Sequence, residues 1–258
     1  MSSTTPSKRE LSLLRALLTR SGRKKSGLCR CEGVRASMEL LDHCSDLIEF
    51  TVATQRGIDS IGHELPELRI LSEEEFATYS DTLNSQGVIV VAKVPDAEGK
   101  TVSGDFILAL DQLGDPGNFG TIARTYRAIG GSELWYTKGS VDPWCDKAIR
   151  SGMGAQFALN VRKFDDLPQL CDAAKQAGYP TVYIADPHKG ESCFEAPVLF
   201  DKSVLVIGGE ANGVSCFPES SRSVMIPMPG NYESLNAAQA ATVILLEYVR
   251  RNTVSVKK

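Results

Sequence analysis

Three polar, glycine-containing loops carry the residue types that could perform chemistry in this chain of 258 residues. Each follows directly on a short apolar run, and together they cover residues 115–120, 208–213 and 227–233. In an open α/β sheet, ligands bind beyond the carboxyl ends of the strands, where such loops converge. Glycine lets backbone N–H and C=O groups approach a ligand without an intervening Cβ. The pattern therefore predicts one ligand site that the three loops build together.

Each loop taken singly is also compatible with a purely structural role. Residues 115–118, Asp-Pro-Gly-Asn, form a favourable turn sequence, and the 208–213 loop could be an ordinary connection. Ser234 could simply cap the last helix. The chain contains neither the G-x-G-x-x-G fingerprint nor the G-x-x-x-x-G-K-[ST] phosphate loop. This argues against an enzyme that uses a nicotinamide or a nucleoside triphosphate.

Alternating strands and helices must position these loops. Runs rich in apolar and β-branched residues predict strands over 106–110, 133–136, 181–185, 204–207 and 224–228. Helical spacing of apolar residues predicts helices between or after them, notably over 121–129, 166–177 and 235–251. Such alternation predicts a mostly parallel sheet that is covered on both faces.

A smaller α/β domain is predicted upstream of this sheet. Strands are expected over 47–53 and 88–94, and helices over 9–18 and 34–41. A further helix should begin at Ser72, with Glu75 completing a capping box. The polar segment 94–104, VPDAEGKTVSG, separates the two patterns. We expect a domain over residues 1–95, a linker over 96–103 and a second domain over 104–258.

The overall composition is that of an ordinary globular protein, with 42% hydrophobic and 23% charged residues. No apolar run approaches the roughly 18 residues that a membrane span needs. The N-terminus lacks the apolar core of a secretory signal. The seven scattered cysteines do not form a disulfide framework. We therefore expect a soluble cytoplasmic protein with reduced thiols and no membrane partner.

Positive charge is concentrated near the N-terminus, although the chain as a whole has a formal net charge of −4. The stretch from Lys8 to Arg35 contains nine basic and two acidic residues. Phosphate binding requires a local basic surface rather than a basic protein. The residues of this stretch that are expected to contact the phosphates of a nucleic acid are Arg23, Lys24, Lys25 and Arg35. The alternative is a solvated, charge-rich helix and turn.

Other candidate sites have weaker support from the sequence. Cys29 and Cys31 have zinc-like spacing, but no second pair or histidine lies at ligand distance in the sequence, so no metal is predicted. His188 is isolated from any nucleophile pattern. Asp142 and Asp146 lie beside basic residues and are typical of a solvated helix start.

The three loop segments, in this order, resemble the motifs of the SpoU (TrmH) family of RNA 2′-O-ribose methyltransferases, in the SPOUT superfamily. The matching segments are DPGNFGTIARTYRAIG at 115–130, LVIGGEANGVS at 205–215 and IPMPGNYESLNAAQA at 226–240. The resemblance covers roughly residues 104–251. The segments RSGRKKSGL and CEGVRASMELL also resemble the ribosomal-protein-like RNA-substrate-binding domain that precedes the catalytic domain in several members.

The resemblance implies a parallel α/β sheet whose C-terminal segment forms a deep trefoil knot. It also implies a homodimer, formed largely by the last helix and the helix of the first motif. The implied cofactor is S-adenosylmethionine, with binding residues Leu205, Gly208, Gly209, Ile226, Met228, Ser234 and Leu235. The implied catalytic residues are Asn118, Arg124, Glu210, Ser234 and Asn236, and Arg124 would also contact the RNA.

The implied reaction needs a ribose 2′-OH to attack the sulfonium methyl in line while it loses its proton. The substrate is then RNA. The family proposal makes Arg124 activate the hydroxyl, but a charged guanidinium has no acceptor. The alternative is that Arg124 holds a phosphate and stabilises the developing alkoxide, while Glu210 or water takes the proton. The sequence leaves both open.

The two-domain layout favours ribosomal RNA as the substrate, in particular 23S rRNA. A transfer-RNA 2′-O-methyltransferase remains open, as does a non-catalytic RNA-binding or ribosome-assembly factor with the same fold. The sequence departs from the family pattern at Ala237 and Ala238, where Val-Ser is common, and at Tyr126, where a small residue is usual. None of these departures removes an implied catalytic group.

Overall fold

The computed structural model describes residues 4–195, 200–210, 213–230 and 233–254. Its helices within these ranges are α1 (Lys8–Ala16), α2 (Arg20–Ser26), α3 (Val34–Cys44), α4 (Gln55–Ile61), α5 (Glu73–Ala77), α6 (Pro116–Ala128), α7 (Asp146–Gly152), α8 (Leu167–Gln176) and α9 (Ala237–Val254). Its strands are β1 (Leu28–Glu32), β2 (Ile48–Ala53), β3 (Leu68–Ile70), β4 (Val88–Lys93), β5 (Phe106–Asp111), β6 (Glu133–Thr137), β7 (Asn160–Phe164), β8 (Thr181–Ala185), β9 (Glu191–Ser192), β10 (Ser203–Gly208) and β11 (Arg222–Met225). None of the helices in the described ranges combines the length and apolar character of a membrane span.

The chain divides into two compact units. Unit 1 comprises Met1–Asp96 together with Asp142–Ala158, and unit 2 comprises Ala97–Val141 together with Leu159–Lys258. The sequence-based boundaries assigned the whole of 104–258 to one domain, whereas the contacts of Asp142–Ala158 lie with unit 1. The chain therefore crosses between the units three times.

Unit 1 is built on a four-stranded sheet in the order β1-β4-β2-β3. The pairs β1–β4 and β2–β4 are antiparallel, and β2–β3 is parallel. The capping box predicted at Ser72 and Glu75 is present and begins α5. The apolar core of this unit joins the helices to one face of the sheet and includes Leu14, Leu17, Val52, Phe76 and Ile89.

Buried ion pairs attach the Asp142–Ala158 segment to the rest of unit 1. The Arg23 Nε atom lies 2.7 Å from Asp142 Oδ2, and Arg30 Nε lies 2.8 Å from Asp146 Oδ2. The expectation of a solvated helix start at Asp142 and Asp146 is therefore wrong. Burial raises the pKa of Asp146 to about 6, even though Arg30 and Arg150 lower it.

The prediction that Arg23 contacts RNA phosphates is also wrong. Its side chain is only 6% exposed, because the guanidinium pairs with Asp142 and donates a hydrogen bond to the Leu17 carbonyl oxygen at 2.7 Å. By contrast, Lys24, Lys25 and Arg35 are exposed. The local basic surface therefore survives without Arg23.

Unit 2 is built on a seven-stranded, wholly parallel sheet in the order β7-β6-β5-β10-β8-β11-β9. The predicted parallel α/β sheet is confirmed. Successive side chains of β10 point to opposite faces of the sheet, and helices cover both faces. Leu205 and Ile207 pack in a cluster that contains residues of α6 and α9, while Val204 and Val206 pack in another that contains residues of α8.

Helix α6 begins earlier than the sequence predicted. Asp115 is its N-cap and accepts a hydrogen bond from the Asn118 backbone N–H at 2.8 Å, with Pro116 in the first turn. The Asp-Pro-Gly-Asn sequence is therefore a helix start rather than a free-standing turn. Further along α6, Tyr126 is buried and its hydroxyl donates to the Phe106 carbonyl oxygen at 2.6 Å. An added Cβ on Gly131 would lie 2.5 Å from the Tyr126 ring, so this glycine makes room for the unusual tyrosine.

We expect Arg23→Ala to lower the free energy of unfolding by about 3 kcal/mol, because it removes a buried guanidinium and leaves the partly buried Asp142 without its cation. The matched control is Lys24→Ala, whose exposed side chain should cost no more than about 0.5 kcal/mol. Urea denaturation followed by circular dichroism measures both. Equal unfolding midpoints for the two variants would contradict the structural role of Arg23.

Candidate cofactor and catalytic site

A cavity of about 420 Å³ lies in unit 2 at the carboxyl ends of its central strands. The segments that follow β8, β10 and β11 line it together with the start of α9. Its lining residues are Ala185, Asp186, Pro187, His188, Ile207, Gly208, Gly209, Glu210, Gly213, Val224, Ile226, Met228, Glu233, Ser234, Leu235, Ala237, Ala240 and Ile244. Two of the three loops singled out from the sequence, those after β10 and β11, therefore share one cavity.

The loop after β10 is held in a tight backbone arrangement that only glycine permits. The Gly209 N–H donates to the Gly213 carbonyl oxygen at 3.1 Å, and the Gly213 N–H donates back at 2.9 Å. An added Cβ on Gly208 would collide with the Gly213 carbonyl group. An added Cβ on Gly209 would lie 2.5 Å from the backbone oxygen of Gln112. Both glycines are therefore required for packing, and both also line the cavity.

The carboxylate of Asp111, at the end of β5, fixes the same loop from its other side. It accepts hydrogen bonds from the Ser215 backbone N–H and from the Thr137 hydroxyl, both at 2.6 Å. Asp111 is almost fully buried, and a hydrogen bond to a charged acceptor is stronger than a neutral one. The segment that contains Glu210 is therefore fixed at both ends near the end of β5, by the packing of Gly209 against Gln112 and by the hydrogen bond from Ser215 to Asp111.

Three of the predicted catalytic side chains form a continuous hydrogen-bonded chain. The Asn236 Nδ2 atom donates to Asn118 Oδ1 at 3.1 Å, and Asn118 Nδ2 donates to Glu210 Oε1. Asn236 Oδ1 also accepts from the backbone N–H groups of Ala238 and Gln239, at 3.0 and 3.3 Å. Asn236 thus caps α9, so the suggestion that Ser234 caps this helix is wrong. The three loops meet at Asn118.

Arg124 lies on α6, six residues after Asn118, and its side chain is exposed. No hydrogen bond or ion pair holds its guanidinium within the described parts of the chain. Helix α6 approaches α9 nearby, where the Thr125 and Thr242 hydroxyl oxygens are 3.5 Å apart. Arg124 is therefore an exposed cation on α6 that pairs with none of the residues that the structure describes.

Leu205 is the one predicted cofactor residue that does not line the cavity. Its side chain points into the core cluster shared with α6 and α9 and is fully buried. Ile207, two residues later on the same face of β10, reaches the cavity instead. The other predicted cofactor residues, Gly208, Gly209, Ile226, Met228, Ser234 and Leu235, all line it.

The sequence analysis missed the loop after β8. Asp186 Oδ1 accepts from the backbone N–H groups of His188 and Lys189, at 2.8 and 3.0 Å, and this turn places Asp186 and His188 at the cavity. The segment DPHKG directly follows the predicted strand 181–185, so its position at a strand exit was the available indication. No cluster of three metal-ligating side chains occurs among the described residues. Residues 211, 212, 231 and 232 of the second and third motifs lie outside them.

The profile of the SpoU rRNA methylase family matches residues 105–246, more than half of the chain. The chain belongs to this family. Its match includes all three loops and the Asn118–Glu210–Asn236 chain of hydrogen bonds. The resemblance inferred from the motifs is confirmed.

Two relatives named as 23S rRNA 2′-O-methyltransferases align with nearly the whole chain. The Bacillus subtilis protein, a guanosine methyltransferase by name, is 29% identical over 231 residues, covering 89% of this chain and 91% of its own. The Streptomyces viridochromogenes protein, a uridine methyltransferase by name, is 30% identical over 248 residues, covering 90% of this chain and 86% of its own. The similarity to these SpoU relatives therefore extends through unit 1 as well.

Solved structures of TrmH and SpoU proteins also superpose on nearly the whole chain. A TrmH-family protein of Porphyromonas gingivalis superposes with a TM-score of 0.81 at 28% identity, covering 96% of this chain and all of that one. The SpoU methyltransferase AviRb of Streptomyces viridochromogenes, solved in complex with AdoMet, superposes with a TM-score of 0.79 at 26% identity, covering 95% and 99%. The SpoU family uses S-adenosylmethionine as its cofactor.

We expect Gly208→Ala to weaken binding of S-adenosylmethionine about tenfold or more, because the new Cβ must displace the Gly208–Gly213 turn from the cavity wall. Gly114→Ala is the matched control, since its Cβ would meet no atom within 4 Å. Isothermal titration calorimetry with S-adenosylmethionine measures both. Unchanged affinity in Gly208→Ala would show that this turn does not contact the cofactor.

Proposed function

We propose that this chain transfers the methyl group of S-adenosylmethionine to a ribose 2′-OH in ribosomal RNA. The observation that carries the proposal is the convergence of Asn118, Glu210 and Asn236 beside a cavity suited to the cofactor. S-adenosylmethionine supplies an electrophilic methyl group on a sulfonium ion. The family membership and the names of the two bacterial relatives support this reaction.

The cavity offers chemistry that matches S-adenosylmethionine. Its volume is within the range of about 300–1,000 Å³ typical of small-molecule sites. Ile207, Ile226 and Ile244 supply an apolar wall suited to an adenine ring, while backbone groups around Gly208 can approach a ligand closely. The carboxylates of Glu210 and Glu233 also line the cavity, which suits a ligand that carries positive charge. These residues would hold the cofactor.

The catalytic roles follow from how each side chain is held. Asn236 and Asn118 orient the Glu210 carboxylate, which is then placed to accept the proton of the attacking 2′-OH. The Arg124 side chain is exposed and pairs with no residue in the described part of the chain, so its guanidinium would be available to an RNA phosphate and to the developing negative charge on the 2′-oxygen. A charged guanidinium cannot accept a proton. We therefore assign proton acceptance to Glu210, directly or through water, and charge stabilisation to Arg124.

The substrate is assigned to RNA of the large ribosomal subunit. The two bacterial relatives described above are named as 23S rRNA methyltransferases. Their alignments with this chain extend into unit 1. Lys24, Lys25 and Arg35 are exposed there and would contact phosphates, which is the main source of affinity for nucleic acid.

The knot and the dimer belong to the same proposal. In the sheet, β10 lies between β5 and β8, and α9 follows β11 back toward β10 and α6. This arrangement supports a C-terminal segment that threads a loop. Leu246 on α9 is 52% exposed, which supports a homodimer formed by this helix.

The direct test of the reaction uses purified protein, radiolabelled S-adenosylmethionine and 23S rRNA transcribed in vitro. We expect label in the RNA, and none when the target nucleotide is replaced by its 2′-deoxy form, because the acceptor oxygen is then missing. Label that persists in the 2′-deoxy RNA would show methylation of a base and would overturn the proposal.

We expect Arg124→Lys to lower the rate of methyl transfer about a hundred- to thousandfold, the usual effect of losing one group that stabilises transition-state charge. The substitution keeps the charge but removes the planar fork. Single-turnover kinetics measure the rate, and a titration should show unchanged affinity for S-adenosylmethionine. Arg127→Lys, on the same helix, is the matched control and should retain the wild-type rate. A normal rate in Arg124→Lys would remove this residue from the active site.

We expect the double variant Lys24→Ala, Lys25→Ala to lower the slope of log affinity for RNA against log salt concentration by about 1.5, since each lost phosphate contact contributes about 0.7–0.9. Filter binding across a salt series measures it. The control is Lys163→Ala with Lys175→Ala, two exposed lysines of unit 2 with the same loss of charge. Identical slopes for the two double variants would show that Lys24 and Lys25 only face solvent.

A further inference from the structure

The cofactor cavity is lined in part by a turn whose side chains have no role in the reaction proposed above. This turn covers residues 186–190, DPHKG, and directly follows β8. Strand β8 pairs in parallel with β10 on one side and with β11 on the other. The turn therefore leaves the sheet between the two loops that line the cavity after β10 and β11.

Backbone contacts with β11 fix both ends of this turn. The Asp186 N–H donates to the Val224 carbonyl oxygen at 3.0 Å, which extends the pairing of β8 with β11 by one residue. Gly190 has a φ of +117°, and an added Cβ would lie 2.3 Å from the backbone oxygen of Ser223. Only glycine fits at that position. The turn is therefore held in a defined place at the edge of the cavity.

The carboxylate of Asp186 fixes the middle of the turn. Its Oδ1 atom accepts hydrogen bonds from the backbone N–H groups of His188 and Lys189, at 2.8 and 3.0 Å. Within the described ranges of the chain, its Oδ2 atom accepts no further hydrogen bond. The His188 imidazole, which can donate a hydrogen bond from a ring nitrogen, lines the cavity beside it. Asp186 and His188 thus present one acceptor and one donor to a ligand.

The charged side chains of the cavity are predominantly acidic. Asp186, Glu210 and Glu233 each contribute a carboxylate to the lining. The described lining residues include no lysine or arginine, and His188 is the one with a basic side chain. A ligand that carries charges of both signs must therefore place its negative group at His188.

The amino-acid end of S-adenosylmethionine has the matching pair of charges. Its α-ammonium and α-carboxylate groups are attached to the same carbon atom, and Asp186 and His188 are only two residues apart on one fixed turn. A hydrogen bond from an imidazole N–H to a carboxylate is charge-assisted and stronger than a neutral one. The turn is therefore complementary to a zwitterion.

Burial along the cavity favours the same orientation of the cofactor. Ile207 and Ile244 in its apolar wall are almost fully buried, whereas His188 is exposed. Charged groups lose far more than an aromatic ring does when they are removed from water. The adenine ring suits the buried wall, and the amino-acid end suits the exposed rim at His188.

We propose that the 186–190 turn recognises the amino-acid end of S-adenosylmethionine. The His188 imidazole donates to the α-carboxylate, and Asp186 Oδ2 accepts from the α-ammonium group. His188 thereby makes the site selective for a cofactor that retains its carboxylate. The identity of the ligand rests on the proposed function.

The test compares two ligands that differ only in this carboxylate, S-adenosylmethionine and its decarboxylated form, by isothermal titration of the full chain. We expect His188→Ala to weaken binding of S-adenosylmethionine about tenfold, the effect of losing a hydrogen bond to a charged group. Binding of the decarboxylated form should change by less than about twofold, because it lacks the group that His188 contacts.

Lys189→Ala is the matched control. Lys189 is exposed on the same turn, its side chain does not line the cavity, and the variant keeps the backbone N–H that donates to Asp186. It should bind both ligands as the wild type does, which separates a contact at His188 from a general effect of positive charge.

The outcomes distinguish this assignment from the proposed reaction. Unchanged affinity of His188→Ala for S-adenosylmethionine, or equal losses for the two ligands, would overturn the role of His188 alone. Selective loss in His188→Ala, without any methyl transfer to RNA by the wild type, would count against the reaction and not against this contact. Failure of the wild type to bind either ligand would overturn both.

Discussion

The functional site depends on the close approach of the loop after β10 to the end of β5. No side chain fits at Gly209, because an added Cβ would collide with the backbone oxygen of Gln112 at 2.5 Å. The Asp111 carboxylate, buried at the end of β5, holds the far end of the same loop through Ser215. Glu210 lies between these two anchors. Its position is therefore set by the backbone and a buried charge rather than by its own flexible side chain.

The asparagines extend this constraint to the other two loops. Asn118 belongs to the first turn of α6 and Asn236 caps α9, so each is fixed by a helix terminus before it contacts the site. Asn118 connects Asn236 to Glu210, because its side chain accepts a hydrogen bond from Asn236 and donates one to Glu210. Groups that are held in place before the substrate arrives do not have to reorganise during the reaction. In the mechanism proposed above, the contacts that hold the loops together would also serve the reaction.

Unit 1 uses buried charge differently, to join distant parts of the chain. Arg23 and Arg30 pair with Asp142 and Asp146, which lie more than a hundred residues later. The pKa of Asp146 is raised from its ordinary value of 3.8 to about 6. The folded protein therefore binds a proton at this carboxyl group more tightly than the unfolded chain does. The contribution of Asp146 to stability is largest below about pH 4 and declines as the pH rises through 6.

The sequence predicted correctly those helices and strands whose buried positions are occupied by apolar residues. The runs at 106–110 and 181–185 are strands because nearly all of their side chains are apolar and covered on both faces. Strand β1 was missed because its sequence, LCRCE, contains Arg30 and Glu32, whose burial depends on ion pairs with residues far along the chain. For the same reason, the sequence did not show that Arg23 is buried whereas the adjacent Lys24 is exposed.

The residues of the candidate site that the sequence predicted lie in loops directly after predicted strands. The motifs gave Asn118, Glu210 and Asn236, and the structure joins them. Leu205 and Ile207 lie on the same face of β10, and only Ile207, which is nearer to the carboxyl end of the strand, lines the cavity. The loop at Asp186 was missed because it lacks the glycine pattern of the others. Its contribution depends on the order of the strands in the sheet, which the sequence did not indicate.

The most direct test of the account is to map ribose methylation across total RNA from cells with and without the gene for this protein. Limited alkaline hydrolysis followed by sequencing locates each 2′-O-methyl group, because the modified ribose resists cleavage. We expect one position in 23S rRNA to lose its 2′-O-methyl group in the deletion strain and to regain it when the gene is restored. Identical profiles of ribose methylation in the two strains, across ribosomal and transfer RNA, would contradict it.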